Sequence, residues 1–207
     1  MGAEIRAGVV LTGTIARTML LISKMTNPNL FHQLPPGPHP PKKIYCFVEI
    51  PKGGSNKYEY NIETGAFYLD RVLYEAIFYP TEYGFIPQTW SVEDQDALDI
   101  MVLSTQPTFP GCLITAQPIG VLKMIDSGEK DYKIIAVPCS DPRLNHIKNL
   151  SGVNPHFKKE VESFWTTYAQ LEPQKKIKIL GWSGVNKACE IIESAIEAYK
   201  EKFKPSP

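Results

Sequence analysis

Four acidic residues occur within the seven-residue segment 93–99, directly before the apolar run 100–103. A fold that buries this run must hold the four carboxylates at the edge of a low-dielectric core, where like charges repel one another. The acids can point into water, which is the common arrangement, or they can share cations. An EF-hand calcium loop is excluded because the glycine and the distal glutamate that it requires are missing.

A second acidic pair occurs between two apolar runs. Asp126 and Asp131 flank the four residues 127–130, a pattern that predicts a hairpin with a four-residue loop. Two aspartates facing each other across a hairpin destabilise it. A metal ion bound between them would reverse that effect, but splayed and hydrated side chains are an equally good interpretation.

Basic residues stand among the acids. Lys57 shares a strand face with Glu59, and Lys133 shares one with Asp131, by the two-residue period of a strand. Arg71 ends an alternation whose other members are apolar, so its guanidinium needs an anion, and phosphate oxygens suit its planar shape. Exposed ion pairs of little energetic value are the alternative for each.

The hydrophobic pattern predicts an α+β fold. We predict strands at residues 44–50, 57–62, 66–73, 100–104, 112–124 and 132–137. Apolar stripes predict amphipathic helices over 155–171 and 187–203. This order of elements favours a small closed antiparallel β-barrel (OB-like), with two or more α-helices packed on it toward the C-terminus.

The chain divides into an extension and one domain. Residues 1–24 are basic and poor in acids, which is typical of an upstream extension or a transit-like segment, and we expect poor order there. Their apolar stretch is too short and too interrupted to span a membrane. We assign residues 25–207 to a single domain, with an extended proline-rich arm at 26–43 that is neither helix nor central strand.

Composition argues against several classes of partner. Lysine plus arginine and aspartate plus glutamate number 22 each, so no overall basic field attracts nucleic acid or a membrane. The four cysteines are scattered without a Cys-x-x-Cys pair, and the four histidines lack the spacing of metal ligands. Reduced thiols of this kind favour a cytoplasmic location.

Several segments stand in the order and spacing of a known family: residues 48–51, 57–59, 70–71, 79–87, 94–99, 118–126 and 131–133. Through them the chain closely resembles the soluble inorganic pyrophosphatases of the first family, from about residue 28 to the C-terminus. Without its leading extension the chain is similar in length to the short bacterial and archaeal type. That likeness implies a homo-oligomer, specifically a hexamer.

The resemblance implies an enzyme that hydrolyses pyrophosphate to two orthophosphates. It implies metal-activated water, several Mg²⁺ ions held by carboxylates, and no covalent intermediate. The implied metal ligands are Asp94, Asp99, Asp126, Asp131, Glu59 and Glu49. Asp96 matches the general base, and the implied phosphate-binding residues are Lys57, Arg71, Tyr83, Lys133 and Tyr168. Oxygen ligands select Mg²⁺, and two metals that share a water lower the pKa of that water.

The chain departs from the family pattern at Gln95, Ala97, Glu82 and Ala169. Ala169 stands where a phosphate-binding lysine is usual, so phosphate binding weakens unless Lys175 or Lys176 reaches the site. Tyr168 also lies on the apolar stripe of its helix, so a packing role and a substrate role are both open for it.

Two other functions compete with this interpretation. A metal-dependent phosphohydrolase for polyphosphate or a nucleotide needs a surface that binds a base, and the sequence offers no such aromatic cluster or glycine-rich loop. A barrel that binds single-stranded nucleic acid could stack bases on Tyr58, Tyr60, Phe67 and Tyr68. Zero net charge and the acidic segments count against that module.

Overall fold

A computed structural model describes residues 29–203 of the chain. The extension at 1–24 lies outside the described residues, so its expected poor order stays a prediction. The helices are α1 (Leu30–Gln33), α2 (Pro155–Tyr168) and α3 (Val185–Lys202), with a 3₁₀ turn at Leu150–Gly152. The strands are β1 (Ile44–Ile50), β2 (Asn56–Asn61), β3 (Ala66–Val72), β4 (Glu82–Phe85), β5 (Asp99–Val102), β6 (Leu113–Asp126), β7 (Glu129–Pro138) and β8 (Ile177–Ser183).

The main sheet contains six strands in the order β1-β4-β5-β7-β6-β8, and β1 also pairs with β6. Five of these strands therefore pair in a ring, while β2 and β3 form a separate hairpin. The predicted α+β class, with a mostly antiparallel sheet and two helices toward the C-terminus, is confirmed.

One pairing corrects the prediction of a wholly antiparallel sheet. Strands β5 and β7 run parallel, with Ile100 opposite Ile134 and Val102 opposite Ala136. In the sheet, β7 lies between β5 and β6. The chain follows β6, reverses at the hairpin and returns along β7, which therefore runs parallel to β5.

The two long helices cover the sheet from separate sides. Asn154 caps α2 by accepting a hydrogen bond from the His156 amide at 2.9 Å, and Pro155 occupies the first turn. Val161, Phe164, Trp165 and Tyr168 of α2 are buried in one core cluster, and Ala188, Ile192 and Ala195 of α3 are buried in another. Each large apolar side chain so buried contributes about 1.5–3 kcal/mol.

The sequence did not predict two of the strands, β4 and β8. All four residues of β4 are buried, so both of its faces are covered and no polar face alternates with an apolar one. Strand β8 lies at the edge of the sheet against β6 and is only partly buried, with the positive-φ Gly181 in its middle.

The proline-rich arm begins with a helical turn, which corrects the expectation of a fully extended arm. Asn29 caps α1 by accepting a hydrogen bond from the Phe31 amide at 3.2 Å. The Phe31 ring is fully buried and contacts the rings of Phe85, Tyr199 and Phe203. Burial of this ring supports a turn that is too short to persist by itself.

The β6–β7 hairpin is tighter than predicted. Asp126 pairs with Glu129 across the turn residues Ser127 (φ 52°) and Gly128 (φ 102°), a backbone conformation suited to a two-residue hairpin turn. Asp131 pairs with Met124, so the prediction that the two aspartates face each other is wrong. They are diagonal neighbours on one face.

Within residues 29–203, no helix is both long and apolar enough to cross a membrane.

The close approach of β1 and β4 depends on Gly84. A Cβ atom at this position would lie 2.0 Å from the Phe47 carbonyl oxygen. We expect Gly84→Ala to lower the free energy of unfolding by roughly 2–3 kcal/mol in urea denaturation. Gly184, with nothing within 4 Å of such an atom, is the control. The control variant is Gly184→Ser. If Gly84→Ala leaves the free energy of unfolding as close to the wild-type value as Gly184→Ser does, the expectation is contradicted.

Candidate functional site

A cavity of about 340 Å³ opens where β2, β4, β7 and the loop before β5 meet. Eight carboxylates line it: Glu49, Glu59, Asp94, Asp96, Asp99, Asp126, Glu129 and Asp131. Three lysines also line it: Lys57, Lys133 and Lys175. The aromatic side chains of Tyr83, Trp165 and Tyr168 form part of its wall. The cavity is therefore strongly acidic although the whole chain has no net charge.

The sheet brings these side chains together from distant parts of the sequence. Glu49 lies near the end of β1, and Asp99 begins β5. Between Asp94 and Asp96, Gln95 adopts the left-handed conformation (φ 57°), and both aspartates line the cavity. Glycine adopts this conformation without strain, so the departure to Gln95 keeps the turn at some cost in backbone energy.

The structure places every predicted metal ligand, the predicted base and all but one of the predicted phosphate-binding residues on the cavity wall. The exception is Arg71, which lies behind Tyr168. Its guanidinium donates to Glu172 Oε1 at 2.9 Å and to the Tyr168 hydroxyl at 2.7 Å, and it pairs with Asp70. The sequence correctly indicated that this arginine needs an anion, and protein carboxylates supply one here.

Lys133 neutralises the deepest part of the cavity. Its side chain is 3% exposed, and its ammonium pairs with Asp131 at 2.5 Å and with Asp99. The same ammonium donates to the Tyr83 hydroxyl at 3.1 Å and lies 5.1 Å from the centre of the Trp165 ring. Burial opposes the charge, but Asp131 and Asp99 outweigh it and raise the pKa of Lys133 above its ordinary value.

The other two lysines pair at the cavity's edges. Lys57 pairs with Glu59 and lies 3.5 Å from Asp70, while Lys175 lies 3.1 Å from Asp126. The Lys57–Glu59 contact matches the strand face that the sequence predicted. Together the three lysines compensate only part of the acidic charge on the wall.

Uncompensated acids have raised pKa values. Although Asp96 is exposed by surface area, the protein packed around its carboxyl, together with the charge of Asp99, raises its pKa to about 7. Burial and the nearby Asp99 raise the pKa of Asp94 to about 6. Burial and Glu59 raise the pKa of Glu49, even though the Tyr60 amide donates to it at 2.8 Å.

The donor set fits a hard divalent cation. The acidic wall offers carboxylate oxygens, the ligands that Mg²⁺ and Ca²⁺ prefer. Asp94 Oδ1 is buried without a hydrogen-bond partner among the described residues, so it has an acceptor site to offer. Within residues 29–203 no three acidic, His or Cys side chains are grouped closely enough to hold a metal. Since Lys133 lies between Asp99 and Asp131, cation binding there requires its ammonium to move aside.

The wall residues that the sequence did not assign to the site include Glu129, Trp165 and Lys175. Glu129 begins β7 directly after the hairpin turn, at a position that the sequence assigns to the loop. Trp165 follows Phe164 on α2, one position from the stripe that the helical period marks. The sequence leaves Lys175 and Lys176 as alternatives, and of these two lysines only Lys175 lines the cavity.

Comparisons with known proteins match most of the chain to one family. Residues 46–200 match the family model described as inorganic pyrophosphatase. An inorganic pyrophosphatase of Picrophilus torridus is 46% identical over 175 residues, which cover 84% of this chain and 98% of the relative. One from Nostoc is 48% identical over 160 residues, covering 77% and 94%. The crystal structure of inorganic pyrophosphatase from Thermus thermophilus superposes with a TM-score of 0.80 at 41% identity, covering 83% and 99%.

The raised pKa of Asp96 predicts a pH dependence of stability. The native carboxyl holds its proton to a higher pH than the unfolded chain does, so its contribution to stability is lost as pH rises from about 4 to about 7. Asparagine does not titrate. In chelator, we therefore expect the melting temperature of Asp96→Asn, relative to wild type, to rise across this window.

Asp141→Asn is the matched control. Hydrogen bonds from Thr105 and Arg143 lower the pKa of Asp141 below its ordinary value of 3.8. The contribution of Asp141 to stability is therefore constant above pH 5. If the difference in melting temperature between Asp96→Asn and wild type is as independent of pH as the difference for Asp141→Asn, then Asp96 ionises with its ordinary pKa.

Proposed function

Because the chain belongs to the inorganic pyrophosphatase family, a family of hydrolases, we propose that it hydrolyses pyrophosphate to two orthophosphates in this cavity. The observation that carries the proposal is the wall of eight carboxylates and three lysines around one open space. A highly anionic substrate needs bound cations and positive side chains before water can approach its phosphorus atoms. Both requirements can be met here.

We propose Mg²⁺ as the cation. Asp94, Asp99 and Asp131 would hold one ion and Asp99 would share a second, while Asp126 and Asp131 would hold an ion that arrives with substrate. Glu59 and Glu49 would complete the acidic pocket. Bound Mg²⁺ supplies charge neutralisation and lowers the pKa of a coordinated water. The orphaned oxygen of Asp94 and the raised pKa values on this wall support the assignment.

Asp96 is the proposed general base. A base works best when its pKa lies near the working pH, and the surroundings of Asp96 raise its pKa to about 7. The Ala97 amide donates to Asp96 Oδ1 at 2.7 Å and fixes the carboxylate. The residue is also open to the solvent from which the attacking water comes.

Phosphate oxygens would be held by basic and hydroxyl side chains. Lys57, Lys133, Tyr83 and Tyr168 line the cavity and can donate to an anion, which stabilises the departing phosphate. Arg71 donates to the Tyr168 hydroxyl at 2.7 Å, so it is placed to orient that hydroxyl and to meet substrate only after releasing its present partners.

We extend the proposal to the scaffold and assembly. The ring of strand pairings supports a small closed OB-like barrel within a single domain over residues 25–207. We propose a cytoplasmic hexamer, and the exposed aromatic residues Phe78 (61%) and Phe109 (65%) are candidates for subunit contacts. Light scattering should give six times the mass of the chain, and a monomeric mass would contradict the assembly.

The competing functions have less support. Phe67 stacks on Phe47 with ring centres 5.7 Å apart, and Tyr60 is 6% exposed, so neither is a free platform for a nucleic-acid base. The acidic wall would also repel a nucleic-acid backbone. For a nucleotide phosphohydrolase, the described wall offers Tyr83, Trp165 and Tyr168, all of which are packed in the core.

Phosphate release tests the proposal. We expect release from pyrophosphate with Mg²⁺, and its loss in excess chelator. Asp96→Asn should lower kcat by at least about 100-fold, because removal of a general base typically costs 10²–10⁴-fold. Glu197→Gln, an exposed substitution on α3, is the matched control and should retain wild-type kcat.

Two outcomes would contradict the proposal. Faster release from ATP or polyphosphate than from pyrophosphate would indicate a broader phosphohydrolase. No release from folded protein, together with salt-sensitive binding to an oligonucleotide, would favour the binding module.

A further inference from the structure

Lys202, in the last turn of α3, contacts the loop that carries two of the proposed site residues. This loop comprises residues 91–98, before β5, and we call it the acidic loop. We propose that Lys202, acting through Gln95, is a positioning residue that holds Asp94 and Asp96 in the cavity. This inference rests on the proposed function and adds to it a support from outside the cavity wall.

The side chain of Gln95 joins the acidic loop to α3. Its amide nitrogen donates a hydrogen bond to the Val92 carbonyl oxygen, and its amide oxygen accepts one from Lys202 Nζ at 3.2 Å. One planar amide thus contacts the beginning of the loop and the end of the helix. Since Gln95 lies between Asp94 and Asp96, a change in its backbone conformation would move both carboxylates.

The backbone of Gln95 needs this support. Its φ of 57° lies in the left-handed region, which a residue with a side chain adopts only at a cost in energy. Such a conformation persists where the surroundings hold it. The two hydrogen bonds of the Gln95 amide act on the strained residue itself, so the loss of one of them favours other conformations of the loop.

A buried aromatic ring holds the ammonium of Lys202 in place. Lys202 Nζ lies 3.7 Å from the centre of the Trp90 ring, and Trp90 is 6% exposed. The face of an indole ring attracts a cation. The Trp90 amide donates to the Ala195 carbonyl oxygen at 2.8 Å, and its ring contacts the Phe203 ring with centres 5.5 Å apart. Trp90 is therefore fixed to α3 and gives the ammonium a rigid platform.

Other contacts close the acidic loop or hold it weakly. The Ser91 amide donates to the Asp96 carbonyl oxygen at 2.7 Å, which closes the neck of the loop. Glu93 pairs with Lys130 at 3.3 Å, but these side chains are 49% and 59% exposed, and pairs so exposed contribute little. The contact from Lys202 differs because its ammonium is also held by a buried ring.

This support would act on the cation site through geometry, and its effect is opposite in sign to that of its charge. Carboxylates that are already held in place lose little freedom when they bind a cation. The positive charge of Lys202, by contrast, disfavours a second cation nearby. Removal of the ammonium should therefore tighten Mg²⁺ binding if only its charge matters, and weaken Mg²⁺ binding if Lys202 positions the loop.

Comparison of Lys202→Met with Lys200→Met tests the inference. Lys200 lies in the same turn and pairs with Glu197 of the same helix at 2.7 Å, so its loss changes the net charge equally. Calorimetric titration should show about fivefold weaker Mg²⁺ binding for Lys202→Met than for Lys200→Met. Lys202→Arg should recover most of the affinity. Equal affinities of the two methionine variants, or tighter binding by Lys202→Met, would overturn the role of Lys202.

Gln95→Gly tests the route of the effect. Glycine adopts the left-handed conformation without strain and has no amide to accept the hydrogen bond from Lys202. In a Gln95→Gly background, Lys202→Met should therefore change the Mg²⁺ affinity much less than it does in the wild-type background. An effect of the same size in both backgrounds would contradict a role that is transmitted through Gln95.

A third readout needs neither cation nor turnover. In chelator, the amides of residues 91–98 should exchange their hydrogens about fivefold faster in Lys202→Met than in Lys200→Met. Equal exchange rates would overturn the role of Lys202 in holding the loop. If Lys202→Met weakens Mg²⁺ binding as expected but the wild-type protein releases no phosphate from pyrophosphate, the proposed function alone is contradicted.

Discussion

The arrangement of the site depends on electrostatic repulsion among carboxylates that the fold forces together. Eight of them share a cavity with three lysines, and burial together with this repulsion raises the pKa values of Asp94 and Asp96. Repulsion of this kind destabilises a metal-free protein, and a divalent cation relieves it more effectively than a lysine does. The same feature that costs stability therefore creates affinity for the cation that the proposed chemistry requires.

Tyr168 shows how the core and the cavity share side chains. Its ring is 2% exposed and packs against Phe164 and Trp165, as the apolar stripe of its helix predicted. Its hydroxyl meanwhile accepts a hydrogen bond from Arg71 at the cavity wall. Packing thus fixes the position of a polar group, so the two roles that the sequence left open are compatible.

Among the described residues, the sequence predicted six of the eight strands, the two long helices and the acids whose charge is hard to place. It did not predict β4, because a strand covered on both faces has no alternation to detect. It also misjudged the hairpin, since the pairing of Asp126 with Glu129 depends on the backbone conformations of Ser127 and Gly128. The resemblance proposed the site residues, but it did not indicate that Arg71 pairs with Glu172, which lies in a loop 101 residues away and beyond the reach of local patterns.

The ring of strand pairings has a consequence for how the protein folds. Closing it joins β1 to β6, so a long intervening loop must be ordered before that pairing contributes stability. Such non-local topology slows folding. The carboxylates of the cavity come from β1, β2, the segment before β5 and the three strands β5 to β7, so the complete wall forms only when all these elements have assembled. A cation that binds only this complete wall, as proposed, would stabilise the completed fold by mass action.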